Sequence, residues 1–143
     1  MKKLRLPIFI IFILAFIAGC STLKMSPKAF NLKVSGGWDG VKYCTGGTSV
    51  YYSSPRFEIK NIPTNTKYLR FHLYHSDAGY DHGTDDIVYQ GGSVVPAAAF
   101  EYLGPCPNRS RLPGYYTWTV TALDAQKEIG LGRGKLKLTF PIE

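Results

Sequence analysis

Two stretches concentrate the side chains that could do chemistry. Ser76-Asp-Ala-Gly-Tyr-Asp-His-Gly-Thr84, followed at once by Asp85 and Asp86, gathers four carboxylates and one imidazole. Tyr102-Leu-Gly-Pro-Cys-Pro107 then leads through a loop carrying Arg109 and Arg111 to Tyr115. Carboxylate oxygens are the hard ligands that calcium takes, but Asp77, Asp81, Asp85 and Asp86 lack the spacing of an EF-hand, and a solvated acidic loop is the plainer reading. No metal site is assigned. Ser76, His82 and Asp85 are the residue types of an acyl-transfer triad, yet neighbours in sequence do not supply triad geometry or an oxyanion site. There is no Gly-x-Ser-x-Gly elbow, no phosphate-binding P-loop and no Cys-x-x-Cys pair. The expectation is a binding protein, not an enzyme, and one without a cofactor. Arg109 and Arg111 suit a lipid phosphate or an acidic partner, or else a solvated loop. Asp77, His82, Asp85, Arg109, Arg111 and Tyr115 form the candidate ligand set, in a cleft between the 76–86 and 104–115 loops. His72 and His75 flank one strand end, and one of them reads as a satisfied sheet histidine.

These side chains must be carried by strands. Tyr115 to Leu123 alternates cleanly, with Tyr116, Trp118, Val120 and Ala122 facing one way and Tyr115, Thr117, Thr119 and Thr121 the other. Lys67 to Tyr74 puts Leu69, Phe71 and Leu73 on one side, and Lys135 to Phe140 does the same with Leu136, Leu138 and Phe140. Phe30 to Val34 reads as the first strand, Thr22 to Lys28 as a polar tether, Ser76 to Thr84 as a loop, and Leu131 to Gly134 as a turn. Trp38 to Tyr43 is a short strand or an irregular arm. No amphipathic run of helical length survives the glycines, and no repeat is present. An all-β domain of seven to nine strands follows, most simply a sandwich.

The N-terminus carries a separate message. Met1-Lys-Lys-Leu-Arg5 is a basic region, and Leu6 to Ala18 is an uncharged run too short to span a bilayer comfortably, the layout of a secretory signal. Ile17-Ala-Gly-Cys20 resembles the lipobox of bacterial lipoproteins, which implies cleavage before Cys20 and acylation of its sulfur. More than one acyl chain gives stable membrane anchoring. Ser21, in place of aspartate, resembles the pattern that permits outer-membrane sorting, so the expected site is the cell envelope, at the outer membrane facing the periplasm. Residues 1–19 are then a signal, 20–28 a lipidated tether and 29–143 one domain. The formal charge of +7 falls to +4 once Lys2, Lys3 and Arg5 leave, which argues no nucleic-acid role. Export to an oxidising compartment predicts a Cys44–Cys106 disulfide, the alternative being buried thiols.

Several segments resemble phosphatidylethanolamine-binding proteins, the Raf-kinase-inhibitor-like family, and its bacterial branch most closely. These are Ser54-Pro55 with Pro63, strand 67–74 with Ser76-Asp77-Ala78, Gly104-Pro-Cys-Pro107, and Tyr116-x-x-x-Val-x-Ala-Leu-Asp124. The resemblance spans roughly Ser54 to Phe140. It implies a Greek-key antiparallel β-sandwich, often with a small terminal helix, and an anion pocket for a phosphate-like head group. Asp77 matches the aspartate of the family's Asp-Ala-Pro loop, with Gly79 in place of proline. Asp85-Asp86 stand where a His-Trp pair is expected, and Asn108 replaces a second proline. The His-Arg-Tyr motif is matched by Pro113-Gly114-Tyr115, which keeps the tyrosine. Carboxylates at such a site repel phosphate, which leaves a degenerate cleft for a small molecule or lipid head group. The alternative is an envelope protein that binds another protein and has no small ligand. Protease inhibition is implied only by the wider family.

Overall fold

The computed structural model describes residues 22–41, 49–106 and 114–140. Cys20, Cys44, Arg109, Arg111 and the signal segment lie outside them. The described residues form ten strands and no helix: β1 Lys24–Asn31, β2 Lys33–Gly36, β3 Tyr51–Ser53, β4 Phe57–Lys60, β5 Tyr68–His75, β6 Tyr80–Val88, β7 Val94–Val95, β8 Glu101–Leu103, β9 Gly114–Leu123 and β10 Ile129–Phe140. The main sheet has the order β1-β10-β9-β5-β6, opposed by a three-stranded sheet, β2-β4-β7, and a two-stranded one, β3-β8. The expected all-β sandwich is therefore the observed architecture. The main sheet is mixed, because β1 runs parallel to β10 while its other pairs are antiparallel.

β9 is the spine. Alternation puts Tyr116, Trp118, Val120 and Ala122 inward, each at most 1% exposed. β5 adds Leu69, Phe71 and Leu73 to the same face, and β4 answers from the opposite sheet with Phe57 and Ile59. Phe57 meets Phe71 at 5.0 Å and Trp118 edge-on at 5.3 Å, and Tyr102 on β8 meets Trp118 at 5.0 Å. Such offset and edge-to-face pairs add roughly 0.5–1.5 kcal/mol each beyond the area they bury. Trp38 belongs to neither a strand nor a free arm. It plugs one end of the sandwich, edge-on to Tyr116 and Phe140, and its indole N–H donates to the Thr139 carbonyl at 2.7 Å.

Three local expectations are corrected. Thr22–Lys28 is largely strand rather than tether, because β1 begins at Lys24 and pairs with β10. The polar stretch after Ser76 is a four-residue turn followed by β6, an edge strand whose outward side chains need not be apolar. Leu131 to Gly134 does not turn; it lies within β10. There the glycines serve close approach. A Cβ on Gly134 would meet the Leu32 carbonyl oxygen and would lie 2.9 Å from Leu32 Cβ.

Candidate functional site

The site is built where β5, β6 and β9 end beneath the Leu103–Cys106 segment. Antiparallel register sets His75 opposite Tyr116, and the two rings stack at 4.2 Å with a 20° tilt. His75 fits there because residue 114 is glycine: a Cβ on Gly114 would lie 2.8 Å from His75 Nε2. His82 reaches the same place from β6, with its ring edge-on to Tyr116 at 5.5 Å and 6.3 Å from His75. A break in the β5–β6 register between His72 and Tyr74 falls opposite His82 and Gly83, and Gly83 takes φ 98°. Such a bulge re-aims a side chain. Both imidazoles are buried, at 7% exposure.

Hydrogen bonding fixes the state of these groups. His82 Nδ1–H donates to the Leu103 carbonyl at 3.0 Å, leaving Nε2 as an acceptor with no partner. The Tyr116 hydroxyl is buried with no well-formed hydrogen bond, its nearest polar neighbour being the Cys106 main chain, and the buried Tyr102 hydroxyl makes none either. Burial lowers the basicity of both histidines and pushes the Tyr116 phenol up to about 12. At neutral pH the site thus holds two neutral imidazoles and a phenol with spare hydrogen-bonding capacity. Leaving a buried polar atom unpaired costs about 1–3 kcal/mol, so their convergence suits a polar ligand.

The sequence-derived candidates separate in space. Asp77 stands at the rim: its Oδ2 accepts the Tyr115 N–H at 2.8 Å and lies 3.9 Å from His75 Nε2. His82 is in the site. Tyr115 is on the opposite face of β9, 56% exposed, so the tyrosine of this site is Tyr116. Asp85 lies across from Phe71, and its carboxyl is raised first by burial and then by Asp86, away from Asp77. The remaining acids point elsewhere. Asp81 accepts from His72 and from the Gly83 N–H, and Asp86 grips Arg70 through two bonds and touches Lys127. The acidic residues therefore do not converge, and no group of three or more potential metal ligands occurs among the described residues. Ser54 is also structural: its hydroxyl accepts the Ala99 and Phe100 N–H groups. His75 was the residue sequence reasoning passed over. Its partner in the signal is Gly114, which makes the room.

The expected description of an outer-membrane lipoprotein is corrected to a statement of fold alone. The structural likenesses bear on nothing else, and no helix of the described residues is long and apolar enough to cross a membrane. No disulfide joins two described cysteines; Cys106 is a half-cystine, and Cys44 and Cys20 lie outside the described residues. No family model matches the sequence, and no curated protein matches it. Two solved structures are similar. E. coli YbcL, described as a new member of the mammalian PEBP family, matches with a TM-score of 0.55 and 15% identity, over 79% of this chain and 99% of that one. CT736 from Chlamydia trachomatis, named as a candidate phosphatidylethanolamine-binding protein (PEBP) homologue, matches with a TM-score of 0.53 and 14% identity, over 80% of this chain and 100% of that one. The chain has the PEBP-like all-β sandwich fold.

Proposed function

We propose that this domain is a non-catalytic binding module that takes a small ligand with an anionic head group at the His75–His82–Tyr116 site. The observation that carries the reading is the buried His82 Nε2, which has no hydrogen-bond partner, beside the incompletely bonded Tyr116 hydroxyl and the stacked His75 ring. Neutral His82 accepts a hydrogen bond at Nε2 from a ligand hydroxyl, and protonated His82 donates one to an ionised ligand oxygen. A phosphate monoester, which exchanges its second proton near pH 6, suits both states. Asp77 at the rim opposes a fully ionised ligand, so binding brings a proton with it. Affinity therefore rises as pH falls.

The experiment is calorimetric titration with phosphoethanolamine at mildly acidic and neutral pH. The expected outcome is tighter binding in acid with proton uptake, weakened by His82→Gln and by Tyr116→Phe. Absence of heat at both pH values at millimolar ligand would remove the reading. The location belongs to the same proposal and rests on the sequence: the basic and apolar leader before Cys20 supports tethering in the cell envelope. A Cys20→Ala chain that still fractionates with membranes would remove that part.

A further inference from the structure

We infer that the outward face of the main sheet is a binding groove for a linear acidic polysaccharide, a second site on the surface opposite the histidine cluster. Register lays out the face in rows. Arg133, Thr121 and Arg70 form one row, Lys135, Thr119 and His72 the next, and Lys137, Thr117 and Tyr74 the third. Three threonines thus run down the middle of the sheet, with three cations at alternate positions of β10 along one side. A groove of about 540 Å³ follows this line, lined by Arg70, His72, Thr117, Thr119, Arg133 and Lys135 among others. A second hollow continues it past Ser76 and Thr117 to Lys137 and Tyr115.

Charge on this face is unbalanced in one place. Asp86 is held by Arg70 and Lys127, and Asp81 by His72. No carboxylate among the described residues pairs with Arg133, Lys135 or Lys137. Like charges repeating roughly every 6.6–6.8 Å along one strand repel one another, and a partner with regularly spaced negative charge relieves that. The floor of the groove chooses among such partners. Thr121 is buried and accepts from Arg133, which it holds in place; the half-buried Thr117 and Thr119 hydroxyls donate and accept, as sugar hydroxyls require, and they are recessed between two rows of longer side chains. A single chain of sugar rings can reach them; a flat lipid surface cannot. Tyr74 and Tyr115, 38% and 56% exposed, stand at one end and offer ring faces to a sugar.

The test titrates the purified protein with hexagalacturonate, with maltohexaose as the neutral control, at low and high salt. The acidic oligomer is expected to bind and the neutral one to bind far more weakly. Lys135→Gln is expected to weaken binding about ten-fold, the loss of one charge-assisted contact. Thr119→Val, which keeps shape and strand propensity, is expected to weaken it roughly three- to five-fold with unchanged salt dependence. His82→Gln is expected to leave it unchanged, which separates this site from the head-group site. Melting curves of each variant establish that the fold is retained. No binding of hexagalacturonate overturns the inference. So does binding indifferent to Lys135→Gln and Thr119→Val, or tighter association with phosphatidylglycerol vesicles than with the oligomer.

Discussion

At the scale of single residues, one position of register decides which side chain belongs to the site. Tyr115 and Tyr116 are adjacent and chemically identical, but strand alternation sends them to opposite faces. The sequence shows that alternation, and Tyr116 can be read from it as core-facing. Matching a remote motif instead selects Tyr115, because motif alignment is blind to the pleat. His75 was legible as a sheet residue but not as a site residue, since its role depends on an absent side chain that is distant in sequence and adjacent in the fold, at Gly114. That dependence can be measured. Gly114→Ala would place a methyl 2.8 Å from His75 Nε2 and 2.9 Å from Tyr116 Cε2. The imidazole is then expected to swing outward, and its basicity to return toward the ordinary 6.5 as it regains water. Histidine proton resonances followed through a pH titration read this directly. An unchanged His75 titration in the variant would mean that the stacked geometry does not depend on the glycine.

At the scale of elements, strands with a buried aliphatic face were legible, and strands shaped by contact with backbone were not. β5 and β9 show period-2 alternation because one face is core. β6 carries Asp81, Gly83, Thr84, Asp85 and Asp86 and so resembles a loop; it is a strand because β5 supplies its hydrogen bonds at the sheet edge. β10 hid its first half because glycine usually marks turns. Here Gly132 and Gly134 let the β1–β2 chain cross directly over the strand, and the same residue type serves proximity. Two substitutions separate these roles. At Gly130 an added methyl meets mainly the flexible end of Met25, which can move aside, so Gly130→Ala is expected to cost little. At Gly134 it meets the Leu32 carbonyl, which cannot move without displacing β1 and β2. Gly134→Ala is expected to cost about 2 kcal/mol, in the range of overpacked cores. Urea midpoints of the two variants give the comparison, and equal midpoints would contradict the proximity argument.

At the scale of the whole molecule, composition and punctuation were enough for an all-β sandwich, because alternation, glycine-rich breaks and the lack of any long amphipathic run all agree. The placement of charge was less legible. Four aspartates close in sequence are dispersed by the pleat to the outward face, the core edge and the rim, so the expected acidic crowd does not form. This dispersal gives the fold a definite response to acid. His75 and His82 are both lowered by burial from the ordinary 6.5, so an unfolded chain takes up protons before the folded one does. Stability from this source is full above pH 6.5 and declines as pH falls through the lowered folded values. Asp86, lowered by its bonds to Arg70, adds a second loss only below its unfolded value of 3.8. Asp85 acts in the opposite sense: burial raises its carboxyl, so protonation just above 3.8 relieves the folded state. The denaturant midpoint is therefore expected to fall between pH 7 and 5, to flatten as Asp85 protonates, and to fall again in stronger acid. A chain with both histidines replaced by glutamine should lose the first descent and keep the last. If the first descent survives that replacement, the acid response arises from groups other than the buried imidazole pair. A phosphate-bearing ligand at the histidine site should make the first descent shallower, since it supplies the anion that the protonated rings lack and so raises their lowered folded values back toward 6.5.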